Sequence, residues 1–358
     1  MVRVEVVDMN SNRKKTDVVV IGGGAAGLSG ALMLARSRRR VVVVDAGEPR
    51  NAPADGVHGL LARDGTPPRV LLATGRDEVR RYGGTVIDGR VVRVAKATGS
   101  EGPAADGADR SIRFRVTLAD RTILDARRVL VATGVVDVLP DIPGLQQRWG
   151  RDVIHCPYCH GWEVRDQAIG VLATSGRTVH QALLFRQLSR DVAVFTHRSE
   201  LEPEEQERLD ARGIRIVTGE IVSVHTENDR LSAIQLADGR MIARRTLVLA
   251  PQQAVRADFV ADLGLYPVEH PSGSGQHLVA DRMGRSSVPG VWLAGNVTDP
   301  FAQVGAAAAQ GAMVGAQINA ELVGDETDAA VAALRDPFSP LSEARVSELV
   351  TGMRRHGV

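Results

Sequence analysis

A glycine loop set between an apolar strand and a small-residue helix restricts this chain more than any other feature. Residues 17–21 are a β-branched run that opens into Gly22-Gly-Gly-Ala-Ala-Gly27; an Ala/Leu-rich stretch follows to about Arg38, and a second run, 41–44, ends in Asp45. Gly22, Gly24 and Gly27 stand at the G-x-G-x-x-G positions, with Ala26 inside the loop. There the backbone has to turn tightly, bring N–H groups to a pyrophosphate and pack helix on strand. The helix N-terminus favours the negative charge, and Asp45 is placed to hold a ribose hydroxyl pair. The pattern predicts a βαβ opening to an α/β fold that binds a dinucleotide, and by itself does not separate FAD from NAD.

Later segments repeat the theme. A strand at 128–132 ends in Ala132-Thr-Gly134, and a strand at 290–294 ends in Gly295-Asn296, followed by Gln303 and a small-residue helix predicted over 304–322. This second, distant turn favours FAD at the first loop. Between them lies another strand, turn, helix and strand, at 168–172, 173–176, 179–188 and 192–195, and further strands are predicted at 214–217, 221–224 and 246–250. The Pro/Asp-rich stretch 137–144 and Pro251 read as crossings between domains. The expected organisation is a tail at 1–15, a discontinuous FAD-binding domain at 16–137 and 252–324, a second domain at 138–251, and an extension at 325–358 with a short helix from Ser342 to Met353.

A chain of 358 residues accommodates two such domains. Its 24% charged residues and formal net charge of +1 give no electrostatic reason for a nucleic-acid or anionic-membrane partner. No apolar run reaches the roughly 18–20 residues of a membrane span. The N-terminal stretch lacks the pattern of a secretory signal and reads as the frayed tail of a cytoplasmic protein.

The two cysteines lie together in His155-Cys-Pro-Tyr-Cys-His160. Such a pair points to redox chemistry or metal rather than to a secreted disulfide scaffold. A CxxC pair brings two sulfurs within disulfide reach, and thiol exchange needs a proton acceptor, which His160 or His155 could supply. Zinc on Cys156, Cys159 and His160 would lack a fourth ligand from the same segment, so no metal is expected. Inert buried thiols are the remaining reading. His58, in Asp55-Gly-Val-His-Gly-Leu60, reads as a solvated loop histidine.

Ala132-Thr-Gly134, Gly290-Val-Trp-Leu-Ala-Gly-Asn-Val297, the glycine loop and the CxxC together resemble the low-molecular-weight thioredoxin reductase family over about residues 17–322. The resemblance implies two Rossmann-like, three-layer ββα dinucleotide-binding domains, a homodimer, and FAD held by Gly22, Gly24, Ala26, Gly27, Asp45, Ala132, Gly134, Gly295, Asn296, Gln303 and Val304. It also implies that Cys159 faces the flavin and Cys156 exchanges with substrate. In that family the segment around His58 approaches the flavin. Two departures stand out: Asn296 replaces the usual Asp, which keeps hydrogen bonding to a hydroxyl while removing a charge, and His160 replaces the acid after the second cysteine.

The second loop departs further. Ala173, Ser175 and Thr178 occupy its motif positions, where side chains obstruct a close approach of backbone to phosphate. The following basic cluster is reduced to His197-Arg198 beside the acidic run 202–207. NADPH binding is therefore doubtful, although an unusual mode of NAD(P)H binding and a phosphate role for Arg177 stay open. Without a hydride donor, electrons run from a dithiol through Cys156 and Cys159 to FAD and on to O2, giving H2O2. This resembles the FAD-dependent dithiol oxidases that close disulfides in natural products such as gliotoxin, holomycin and romidepsin, with a small-molecule dithiol as substrate. An NAD(P)H-dependent thioredoxin or disulfide reductase is the second reading, and a flavoprotein redox sensor the third.

Overall fold

The computed structural model describes residues 13–97, 113–336 and 339–353. Its first sheet is built from β1 (Arg13–Ile21), β2 (Val41–Asp45), β3 (Thr85–Asp88), β4 (Val91–Lys96), β5 (Phe114–Leu118) and β6 (Ile123–Val131), with helix α1 (Ala25–Arg36) between β1 and β2 and α2 (Pro68–Arg81) before β3. The spatial order is β3-β2-β1-β6-β5-β4. The valine runs are continuous rather than alternating because both faces are covered. Val18, Val20, Val41 and Val43 pack under helices, while Val19, Ile21, Val42 and Val44 pack under the β4–β5 side.

Two crossings, β7 (Val135–Val138) and β16 (Gln252–Val255), lie side by side as an antiparallel pair. Between them come α3 (Leu145–Arg148), β8 (Val153–Ile154), α4 (Pro157–His160), β9 (Ile169–Leu172), α5 (Thr178–Arg186), β10 (Val192–Phe195), α6 (Pro203–Ala211) and β11 (Arg215–Val217), then a meander of β12 (Ile221–Glu227), β13 (Arg230–Leu236) and β14 (Met241–Ala243), and β15 (Thr246–Val248). The second sheet, β11-β10-β9-β15-β8, is wholly parallel. The meander packs on one face through Ile221, Ile234 and Leu236, and α5 and α6 pack on the other through Val179, Phe185 and Leu209. Both units thus have three layers, meander, parallel sheet and helices.

After the return crossing, a short hairpin of β17 (Val268–Glu269) and β18 (Gln276–His277) precedes β19 (Val291–Leu293), which adds to β6 in parallel. β6 therefore has β1 along one edge, and β5 then β19 along the other. Helix α7 (Val304–Arg335) lies against α1, and α8 (Pro340–Met353) follows.

Two expectations about the ends need correction. The first strand begins at Arg13, not Asp17, because residues 13–15 pair with 123–125 of β6, so at least these residues of the expected tail are sheet; residues 1–12 lie outside the described residues. The small-residue helix runs on past 322 to Arg335. Its charged continuation is held by ion pairs: Glu321 and Asp325 engage the fully buried Arg128, and Glu326 engages Arg39 and Arg127. The extension is helical over most of its length, although residues 354–358 lie outside the described residues. Among the described residues no helix is long and apolar enough to cross a membrane.

Candidate active site

The switch from β1 to α1 shapes one end of a cavity of about 510 Å³ that reaches, across the crossings, to the CxxC segment. Gly22 has φ +108°, and a Cβ there would stand 2.4 Å from the Ala132 carbonyl oxygen. At Gly24 a Cβ would meet nothing within 4 Å, because the backbone faces open cavity. Gly24 caps α1 and Gln303 caps α7, and neither end has a side-chain cap. Two helix N-termini with free N–H groups therefore line one cavity, an arrangement suited to the phosphates of a dinucleotide. The fit of a flavin dinucleotide rests on this cradle.

Gly22, Gly24, Ala26, Asp45, Ala132, Gly134, Gly295, Asn296, Gln303 and Val304 all line the cavity, together with His155, Cys156, Cys159 and His160. Gly27 does not line it: a Cβ there would strike the Gly22 carbonyl oxygen at 1.9 Å, so its part is to let α1 close on the loop. Asp45 accepts the N–H of Gly47 at 3.2 Å and is ion-paired with Arg76, which leaves part of its carboxylate for a hydroxyl. Asn296 also makes bonds that the sequence did not show. Its amide nitrogen donates to the carbonyls of Asp299, Pro300 and Ala302 at 2.9–3.3 Å, so only Oδ1 is left for a ligand.

Cys156 and Cys159 form a disulfide with Cα atoms 5.2 Å apart. Cys156 caps α4, Pro157 opens that helix with a fixed φ, and the Cys159 N–H donates to the Cys156 sulfur at 3.2 Å. His160 ends the turn. Both its ring nitrogens are buried without a hydrogen-bond partner in the protein. Burial pushes its pKa down, against the opposing pull of Glu163. His155 is also pushed down, to about 4, by burial first and then by the nearby Arg50. It is therefore neutral near pH 7. His58 also reaches the cavity, with Nε2 3.5 Å from Glu163 and Nδ1 3.5 Å from Asp64. Among the described residues, no cluster of three or more His, Cys, Asp or Glu side chains could hold a metal ion.

Sequence reasoning missed the contacts that join the cavity walls. Arg50 grips Asp137 through Nε and Nη2 at 2.7–3.1 Å and donates Nη1 to the Pro300 carbonyl at 3.2 Å. Gln310 accepts the Gly295 N–H at 2.7 Å. The Arg177 guanidinium lies 4.5 Å from the centre of the Phe301 ring. None of these pairs is close in sequence, and the one available signal was that Asp137 opens the Pro/Asp-rich stretch read as a crossing.

The profile of the pyridine nucleotide-disulphide oxidoreductase family matches residues 16–311. Thioredoxin reductase sirT of Leptosphaeria maculans is 31% identical over 83% of the chain and 91% of its own length. A probable thioredoxin reductase of Arthroderma benhamiae is 28% identical over 87% and 81%. Among solved structures, HlmI is 44% identical with a TM-score of 0.81, covering 89% of the chain and 96% of HlmI.

Proposed function

The chain belongs to the pyridine nucleotide-disulphide oxidoreductase family, and on that premise we propose that it is a flavin-dependent dithiol oxidase that closes a disulfide in a small molecule, with dioxygen as the electron acceptor. The family is one of flavin thiol–disulfide oxidoreductases; the direction of electron flow is the proposal. One observation carries it: the polar groups of the second loop make contacts within the protein. Ser175 Oγ accepts the Arg177 N–H at 3.3 Å, Thr178 Oγ donates to the Ser175 carbonyl at 2.7 Å, and the Arg177 side chain covers Phe301. Arg198 is taken by Glu220, and His197 Nδ1 accepts the Ile221 N–H at 2.9 Å. The cationic groups next to the second loop thus have partners within the protein, which supports the reading without a nicotinamide donor.

His160 takes the proton of the first substrate thiol, whose sulfur attacks Cys156. The Cys156–Cys159 bond breaks and Cys159 leaves with the electron pair as a thiolate. The second substrate thiol, losing its proton, attacks the substrate sulfur of the mixed disulfide; the substrate disulfide closes and Cys156 is released. The two helix N-termini, Asp45 and the Gly295 turn would hold FAD, which would supply a two-electron acceptor for the cysteine pair and a route for those electrons to dioxygen, giving hydrogen peroxide. His155 stays neutral through this sequence and shapes the wall beside the disulfide.

Anaerobic titration of the FAD-loaded protein tests the reading. Dithiothreitol is expected to bleach the flavin absorbance and NADPH to leave it. Bleaching by NADPH would establish the reductase direction that the relatives' names carry, and bleaching by neither would fit a redox sensor.

A further inference from the structure

Closing one disulfide frees two protons, one from each substrate sulfur, and a single imidazole holds only one. With both ring nitrogens of His160 buried and unpartnered in the protein, no direct hydrogen bond carries its proton away. Three residues on, Glu163 Oε1 lies 3.5 Å from His58 Nε2, and the other ring nitrogen of His58 lies 3.5 Å from Asp64 Oδ2. Asp64 is fixed by the Gly59 N–H, 2.9 Å from Oδ1, and its side chain is 70% exposed. The His58 side chain, only 22% exposed, stands on the wall of the same cavity as the disulfide. Glu163, His58 and Asp64 thus form a row of acid–base groups that ends at solvent, and Glu163 acts on the charge of His160; the row brings a segment before α2 against the segment that carries the cysteines.

We propose that His58 is the second acid–base group of the reaction, a relay that takes the proton of His160 by way of Glu163 and so frees His160 for the second thiol. The inference rests on the dithiol oxidase reading. In the first exchange, the substrate S–H proton goes to His160 as the substrate–Cys156 bond forms and the Cys156–Cys159 bond breaks. The proton then passes to Glu163 and on to His58, whose imidazolium is flanked by the carboxylates of Glu163 and Asp64. His160, neutral again, accepts the second S–H proton as the substrate disulfide closes. Both protons stay at the site until peroxide takes them up with the two electrons. Glu163 and Asp55 favour the cationic form of His160, and His58 opposes it.

The test uses the FAD-loaded protein, its His58→Gln variant and dithiothreitol in anaerobic stopped flow. Flavin reduction at pH 7 is expected to slow by about 100-fold in the variant, the low end of general acid–base effects. Added imidazole is expected to restore much of it, and the pH–rate profile to lose one limb. In flavin-free protein labelled at histidine, NMR titration of the His160 ring is expected to move to higher pH once His58, which opposes its cationic form, is gone. An unchanged rate in the variant, beside a wild-type flavin that dithiothreitol does reduce, would overturn the relay alone. So would a loss that imidazole leaves untouched while the pH profile keeps its shape, since that marks a structural role. A wild-type flavin that stays oxidised would overturn the oxidase reading and the relay with it.

Discussion

At the scale of single residues, protonation couples the site to stability. His155 has an ordinary pKa of 6.5 that folding lowers to about 4. Between those values the unfolded chain binds a proton that the folded chain refuses, so stability falls as pH drops from 6.5 toward 4 and changes no further below. A shift of that size corresponds to about 3 kcal/mol. His155→Asn should flatten this part of the curve, as urea unfolding at pH 7, 6 and 5 would show, and a slope equal to wild type would remove His155 from the account. Residue identities were legible in the sequence: the cysteine pair, His160 and the glycines were all found from their spacing. The use of Asn296 was not, because it depends on three carbonyls of the 299–302 loop converging on one amide. A carboxylate there would place acceptor against acceptors, which explains the amide in this chain without reference to a ligand.

Elements were legible where periodicity and punctuation agreed, as in the strand–loop–helix opening and the repeated unit after the cysteines. They were less so where distant partners decide. The end of α7 was misread because its continuation opens on the polar run Asp325-Glu-Thr-Asp328; Arg39, Arg127 and Arg128, which satisfy its acids, lie about 200 to 290 positions away in the chain. The contact between α1 and α7 was also hidden. A Cβ at Gly311 would stand 1.9 Å from the Ala26 carbonyl oxygen, and one at Gly315 would stand 2.5 Å from that of Gly30. Gly311→Val should therefore push α7 off the helix that carries the first loop, lowering stability by roughly 3 kcal/mol or more and releasing flavin. Gly324→Ala, where a Cβ meets nothing within 4 Å, should instead be neutral or stabilising by up to about 1 kcal/mol. Flavin-to-protein absorbance ratios and urea midpoints measure both. Retention of flavin at wild-type affinity by Gly311→Val would show that α7 does not set the geometry of the cradle.

At the scale of the whole molecule, the two sheets matter because side chains from both meet around one cavity. The two-unit architecture could be read from repeated patterning and the crossings, but the pairs that join the units could not, since each links segments far apart in sequence. Arg177 bears on two accounts of the second unit, as a phosphate ligand or as a strut. Its side chain is exposed, and its guanidinium lies over Phe301 of the 299–302 loop, whose carbonyls also hold Asn296 and Arg50. A cation–π contact of this kind contributes about 0.5–2 kcal/mol. Arg177→Ala is thus expected to lower the calorimetric melting temperature by a few degrees, while anaerobic reduction by dithiothreitol persists and NADPH remains without effect. An unaltered melting temperature would deny it the role of a strut. If wild-type flavin were reduced by NADPH and the variant's were not, the loop would be a nucleotide site after all, and electrons would enter this protein from the opposite side.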